Sequence, residues 1–307
     1  MTIRKLSMAA ALIMAAATMP SLAQTKDGGI SKEMISQMQK GQKHTVADKA
    51  LATALATNSI DNLTKNNAIA GKINNYFSVE TKEQSITDQK QSGRCWMFSG
   101  FNVLRSNFAQ RTDSLNVTFS QGYLFFWDQL EKSNLFLQGV IDCAKKPMDD
   151  TRVQFFFKSP LNDGGTFCGV ADLVDKYGLV PSEVVPETFS SENTSKASRL
   201  ISMKLREFGL QLRDMVNGGK KTADIKAAKT KMLSEVYHML TLVYGEPPAQ
   251  FTYAFKDSKG RAVTPAKTYT PLEFSREILG NMPINGSFIM VMNDPRRDYY
   301  KTYEVEY

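Results

Sequence analysis

Histidine is scarce in this sequence: 307 residues hold two, His44 and His238. His44 lies in a polar segment between Lys43 and Thr45, and His238 sits in a helical pattern between Tyr237 and Met239. Neither context is that of a general base poised beside a nucleophile. Cysteine is nearly as rare, with Cys95, Cys143 and Cys168. An odd number leaves at least one thiol unpaired. No stretch reaches 18 apolar residues, so nothing reads as a bilayer span. There is also no dense Lys/Arg block. The net charge of +7 is spread along the chain, which permits a nucleic-acid or anionic-surface role without indicating one. These residues call for no metal or cofactor.

What is present is a globular composition, 42% apolar and 22% charged. The first residues have the layout of a signal peptide. Arg4 and Lys5 begin it, Met8 to Met19 form a short apolar run, and Ser21-Leu22-Ala23 places small residues at the cleavage-determining positions. Gln24 rather than Cys follows, which argues against lipid attachment. Cleavage after Ala23 would lower the net charge from +7 to +5 by removing Arg4 and Lys5. The expected location is periplasmic or secreted.

The organisation expected from the sequence is a signal peptide at 1–23, an N-terminal extension at 24–85, a helical lobe at 86–190, a mainly helical insertion with a hairpin at 191–285, and the start of a β-rich lobe at 286–307. Helices are expected from Ile30 to Met38, from Cys95 to about Arg111, from Phe119 to Leu137 with Ser120 as cap, and from Val170 to Tyr177 ending at Gly178. Two more run from Ser195 to Val216 and to about Tyr244 behind a Thr222 cap. Phe251 to Phe255 alternates and turns back through Lys259-Gly260 towards Ala262-Val263, a hairpin. Thr270-Pro271-Leu272-Glu273 is a capping box. Tyr76 to Val79, Ser287 to Met292 and Thr302 to Tyr307 read as extended segments.

The chemistry concentrates around Cys95, in Gln89-Lys90-Gln91-Ser92-Gly93-Arg94-Cys95-Trp96-Met97-Phe98. Gly93 supplies a turn, and the apolar helix begins at the thiol. The positive end of a helix macrodipole favours a negatively charged sulfur there. A thiolate attacking a carbonyl turns the carbonyl oxygen into an anion. The Gln89 side-chain amide and the Cys95 backbone N–H can both reach that oxygen. For Cys143 and Cys168 the residues leave two arrangements open, a single bridge or two buried free thiols. The usual burial of free cysteine favours the second.

Gln89, Ser92-Gly93-Arg94-Cys95-Trp96 and Phe98 resemble the nucleophile segment of papain-like cysteine peptidases. Thr87-Asp88-Gln89-Lys90, Phe119-Ser120-Gln121, Tyr123 to Asp128, Asn162-Asp163-Gly164-Gly165, Lys176-Tyr177-Gly178, Thr270 to Phe274 and Asn293 to Arg296 narrow it to the bleomycin hydrolase/aminopeptidase C branch. That branch usually has Asn where this chain has Asp88. The resemblance covers about residues 30–307 and implies an α+β papain-like fold with a truncated β-rich lobe.

It also implies a cysteine-type aminopeptidase acting on peptide substrates. Cys95 would be the nucleophile and Gln89 the oxyanion donor. Gly164 and Gly165 would hydrogen-bond the substrate backbone, and Trp96, grouped with them at the substrate site, would pack beside the nucleophile. The branch assembles as hexamers, and some members bind nucleic acid. Its histidine and asparagine fall beyond position 307, so residues 1–307 alone are expected to lack the base and to be inactive. An inactive remnant that binds peptides or nucleic acid is the alternative. No membrane anchor and no cofactor are implied.

Overall fold

The computed structural model describes residues 28–301, apart from 73, 113–114, 281–283, 285–286, 290 and 292. The proposed signal peptide at 1–23 and the extended segment at 302–307 lie outside the described residues. The described chain divides into two compact units, one up to Phe77 and one from Ser78 onward.

The first unit is built from short capped helices. Helix α1, Lys32–Gly41, starts at Ser31, whose hydroxyl accepts from the Met34 N–H. Helix α2, Val46–Thr57, begins with a reciprocal Thr45/Asp48 capping box and stops at Asn58. A single turn, α3 (Ile60–Leu63), and a 3-10 turn, Asn67–Lys72, follow. None of the three α-helices buries a residue, so capping and local hydrogen bonds hold them rather than a core.

The second unit carries the core. Helix α4, Cys95–Arg111, buries Trp96, Met97, Phe98, Phe101, Leu104 and Phe108. Helix α5, Gln121–Asp142, runs through the middle of the unit. Ser120 caps it by accepting from the Tyr123 N–H. It packs against α6 (Thr151–Lys158), α7 (Phe167–Tyr177), α9 (Thr194–Asn217) and α10 (Thr222–Tyr244); the one-turn helix α8 (Phe189–Glu192) leads into α9. The periodicity of α9 agrees with its burial. Ala197, Ile201, Leu205, Phe208 and Leu212 face the core at three- and four-residue spacing.

Helix α7 ends at Gly178, where φ is +80°. A Cβ there would also lie 2.2 Å from the Pro271 carbonyl carbon. Glycine therefore serves both the turn and the close approach to α11 (Pro271–Leu279).

Strand β1, Phe251–Tyr253, pairs antiparallel with β2, Lys267–Tyr269, with Phe251 opposite Tyr269. The expected return at Ala262-Val263 is present as single contacts: Ala262 bridges Lys256 and the Val263 N–H donates to the Phe255 carbonyl. Regular pairing resumes only at Lys267, because Pro265 has no N–H to continue a ladder. Three other expectations shift. Thr222 is the first helical residue and not the cap, which is the extended Lys221. Residues 76–79 are exposed and pair with no strand. Of the 287–292 segment, the described residues are not in a strand. Among the described residues there are eleven α-helices and two strands.

Candidate active site

The loop from Ser85 to Arg94 is held against the start of α4 by several side chains. Buried Arg105 donates from Nε to the Val117 carbonyl, from Nη1 to Asn102 Oδ1 at 3.1 Å and from Nη2 to Ser85 Oγ at 3.2 Å. Asn102 in turn donates to Thr87 Oγ1. The loop closes on itself near the thiol: the Gln89 amide donates to the Ser92 carbonyl, and the Ser92 hydroxyl donates to the Gln89 carbonyl at 2.7 Å. Lys90 takes a positive φ of 54° and its N–H bonds to Asp88 Oδ1. The hydrogen bond from that N–H, then the adjacent Lys90 ammonium, hold the Asp88 carboxyl below its ordinary range.

Cys95 is exposed and is the first residue of α4. It shares a cleft of about 450 Å³ with Gln89, and Ile86, Thr87, Asp88, Phe98, Ser99 and Asn102 complete the lining. Here the two residues expected to carry the attack and the oxyanion are brought together. Cys143 and Cys168 are both free, as favoured from sequence, but only Cys143 is buried; Cys168 is half-buried.

Behind the thiol lies a polar network within the core. Arg94 is fully buried and forms an ion pair with Glu187 at 2.8 Å, while its Nε donates to Ser92 Oγ. Ser191 donates to Glu187 Oε2, the same oxygen that the Arg94 ion pair reaches, while Glu187 Oε1 accepts from Arg94 Nη1. Asp163 accepts from the Gly93 N–H at 3.1 Å and from the hydroxyls of Thr194 and Ser198. Its carbonyl accepts from the Trp96 indole N–H at 2.7 Å. Gln91 pairs with the segment before α9 through its N–H to the Glu192 carbonyl. The nucleophile loop is thus fixed from α4, from the 163 loop and from the start of α9.

Gly164 and Gly165 are exposed, and Gly165 lies against the Trp96 ring, so these predicted residues border the Cys95 helix start. Trp96 itself is 8% exposed, as expected of a packing residue. Neither histidine is among the described residues lining the cleft: His44 belongs to the first unit, and His238 is exposed on α10.

This geometry agrees with what the chain is similar to. Residues 29–307 match the model of the Peptidase C1-like family. The chain belongs to that family. Aminopeptidase C of Lactobacillus delbrueckii subsp. lactis is 39% identical over 83% of this chain and 57% of its own length. Human bleomycin hydrolase is 37% identical over 75% of this chain and 51% of its own length. The crystal structure of pepw from Lactobacillus rhamnosis superposes with a TM-score of 0.74 at 34% identity, covering 83% of this chain and 57% of that one. This Peptidase C1-like chain therefore has an α+β papain-like fold, and it spans little more than half the length of the curated relatives it matches.

Several residues around the site escape sequence reasoning. Asp163 reads as part of a turn, although its carboxylate and carbonyl anchor the nucleophile loop. Asp128 and Lys132 are hidden within the helical pattern of Phe119 to Leu137. A carboxylate and an ammonium four residues apart inside an apolar helix signal a buried pair, and that signal is present in the sequence. Arg94 next to the thiol is a similar clue, but its partner Glu187 lies 93 residues away and cannot be read locally.

Proposed function

We propose that this chain carries the nucleophile of a cysteine-type aminopeptidase. The observation that carries the reading is the exposed Cys95 thiol at a helix start, in one cleft with the Gln89 amide. The thiolate attacks the carbonyl carbon of the N-terminal residue's peptide bond. The Gln89 side chain and the Cys95 N–H receive the negative charge on oxygen. The C–N bond breaks, the amine takes a proton and leaves, and water then hydrolyses the thioester. The aminopeptidase and bleomycin hydrolase names of the relatives support the substrate class, peptides with a free amino end. Export through residues 1–23 and assembly into a homo-oligomer, a hexamer by resemblance, belong to the same proposal.

One observation favours a second reading, a peptide-binding chain that does not turn over: neither histidine lines the cleft among the described residues. Hydrolysis of aminoacyl fluorogenic amides, with Cys95→Ala as control, separates the two. Turnover that persists in Cys95→Ala would sink the first reading. Alkylation of Cys95 by peptidyl reagents without turnover would favour the second.

A further inference from the structure

Ser92 makes two hydrogen bonds to Gln89, one in each direction. The Ser92 carbonyl accepts from the Gln89 side-chain amide, and the Ser92 hydroxyl donates to the Gln89 carbonyl at 2.7 Å. The same hydroxyl oxygen accepts from Arg94 Nε at 3.0 Å. A serine hydroxyl has a single hydrogen, and a guanidinium has donors only. Arg94 therefore fills the accepting side of the hydroxyl and leaves its hydrogen to the Gln89 carbonyl. Arg94 is itself held in place, fully buried and paired with Glu187.

The consequence falls on the Gln89 amide. A carbonyl only accepts, so the nitrogen of that amide faces Ser92. An amide nitrogen carries two hydrogens. One is committed to Ser92, and the second has no acceptor among the described residues, in the cleft that Gln89 shares with Cys95. The backbone between the two residues adds a reason for the clasp. Lys90 has a φ of 54°, which a non-glycine residue takes at a cost, so the turn depends on the bonds that hold it closed.

We propose that Ser92 is a positioning residue for the oxyanion. Fixed by Arg94, it holds Gln89 by both backbone and side chain, so that the second amide hydrogen already points at the carbonyl oxygen when substrate arrives. Ser92 does not touch the substrate. This rests on the proposed roles of Cys95 and Gln89. A donor aimed in advance stabilises the developing charge without reorganising during the reaction.

The test uses L-leucinal, the aldehyde of one amino acid with a free amino end. The Cys95 thiolate adds to its carbonyl carbon, the C=O electron pair moves onto oxygen, and that oxygen takes a proton from water. The adduct needs no leaving group and no turnover, and its oxygen takes the place of the oxyanion. Affinity is read as protection of Cys95 from iodoacetamide, which bonds to the same sulfur with loss of iodide and forms no oxyanion. Peptide mapping separates Cys95 from Cys143 and Cys168.

Gln89→Ala is expected to weaken leucinal binding about tenfold, the worth of one hydrogen bond. Ser92→Ala is expected to weaken it about three- to tenfold by misaiming the same donor. Its iodoacetamide rate without leucinal should stay within about twofold of wild type. Ser92→Thr, which keeps the hydroxyl, is expected to recover most of the loss. The double variant Ser92→Ala with Gln89→Ala should match Gln89→Ala alone within about twofold, since Ser92 acts only through Gln89.

Unchanged leucinal affinity in Ser92→Ala overturns the proposal. So do losses that multiply in the double variant. A slowing of iodoacetamide that matches the loss of leucinal affinity also overturns it, by making the role structural. Failure of leucinal to protect wild-type Cys95, or unchanged affinity in Gln89→Ala, overturns the proposed roles of Cys95 and Gln89, and the positioning role with them.

Discussion

The indole of Trp96 occupies the space that a side chain at position 165 would need: a Cβ on Gly165 would lie 2.5 Å from Trp96 Cε2. The ring cannot swing aside freely, because its N–H is bonded to the Asp163 carbonyl and Lys132 lies near its face. Gly165→Ala must therefore shift the backbone or the indole. We expect a loss of about 1–3 kcal/mol, the usual cost of overpacking. Urea unfolding measures it. A change below about 0.5 kcal/mol would show that the loop relaxes without disturbing Trp96.

Arg94 and Glu187 make a second test. The guanidinium is fully buried, stacked near the rings of Phe98 and Phe125 at 5.2 and 5.3 Å, and paired with a carboxylate that is 24% exposed. Glu187→Ala would leave that charge without its partner, and a loss of about 3 kcal/mol is expected. Replacing both, Arg94→Met with Glu187→Leu, should recover much of it, since apolar substitutes carry no desolvation penalty. If the double variant is no more stable than the single one, the pair is holding the loop through its geometry, including the Arg94 bond to Ser92.

The hairpin and α11 share one aromatic cluster. Phe274 is fully buried and meets Phe251, Tyr253, Tyr269 and Phe255 at 5.4 to 5.8 Å between ring centres. Phe274→Ala should cost about 3–5 kcal/mol, with the near-ultraviolet dichroism of the tyrosines reduced. A smaller effect would mean that the two-stranded sheet collapses onto the gap.

Elements whose signals are local are legible in the sequence. The helix from Cys95 to Arg111 is bounded by a glycine turn and an apolar run, and the Thr270 capping box and the Gly178 stop are carried by adjacent residues. Cys95 and Gln89 are readable together because a short loop joins them. What escapes depends on distant pairing. Asp163 reaches Gly93 across 70 residues and Glu187 reaches Arg94 across 93. The β2 register depends on where Pro265 lets the ladder resume. Thr222 resembles a cap by type, yet its backbone is already helical and Lys221 takes the extended position.

Asp128 supplies a test in pH. Burial, opposed by the Lys132 charge and by hydrogen bonds from Lys132 and Gln129, raises its carboxyl from an ordinary value of 3.8 to about 6. Between those values the folded protein holds a proton that the unfolded chain has released. The stability linked to that proton is complete below about pH 3.8 and is lost as pH rises through about 6. Asp128→Asn has no such titration. The unfolding free energy of wild type relative to Asp128→Asn should therefore fall by about 2–3 kcal/mol between about pH 4 and pH 7, since each tenfold difference in proton affinity between the folded and unfolded states is worth about 1.4 kcal/mol. Urea denaturation of both proteins at the two pH values measures it, and the pH-independent cost of the lost Lys132 contact cancels in the difference. Parallel curves would mean that Lys132 and Gln129 fully compensate the burial, leaving the carboxyl to titrate at its ordinary value of 3.8 in the folded protein.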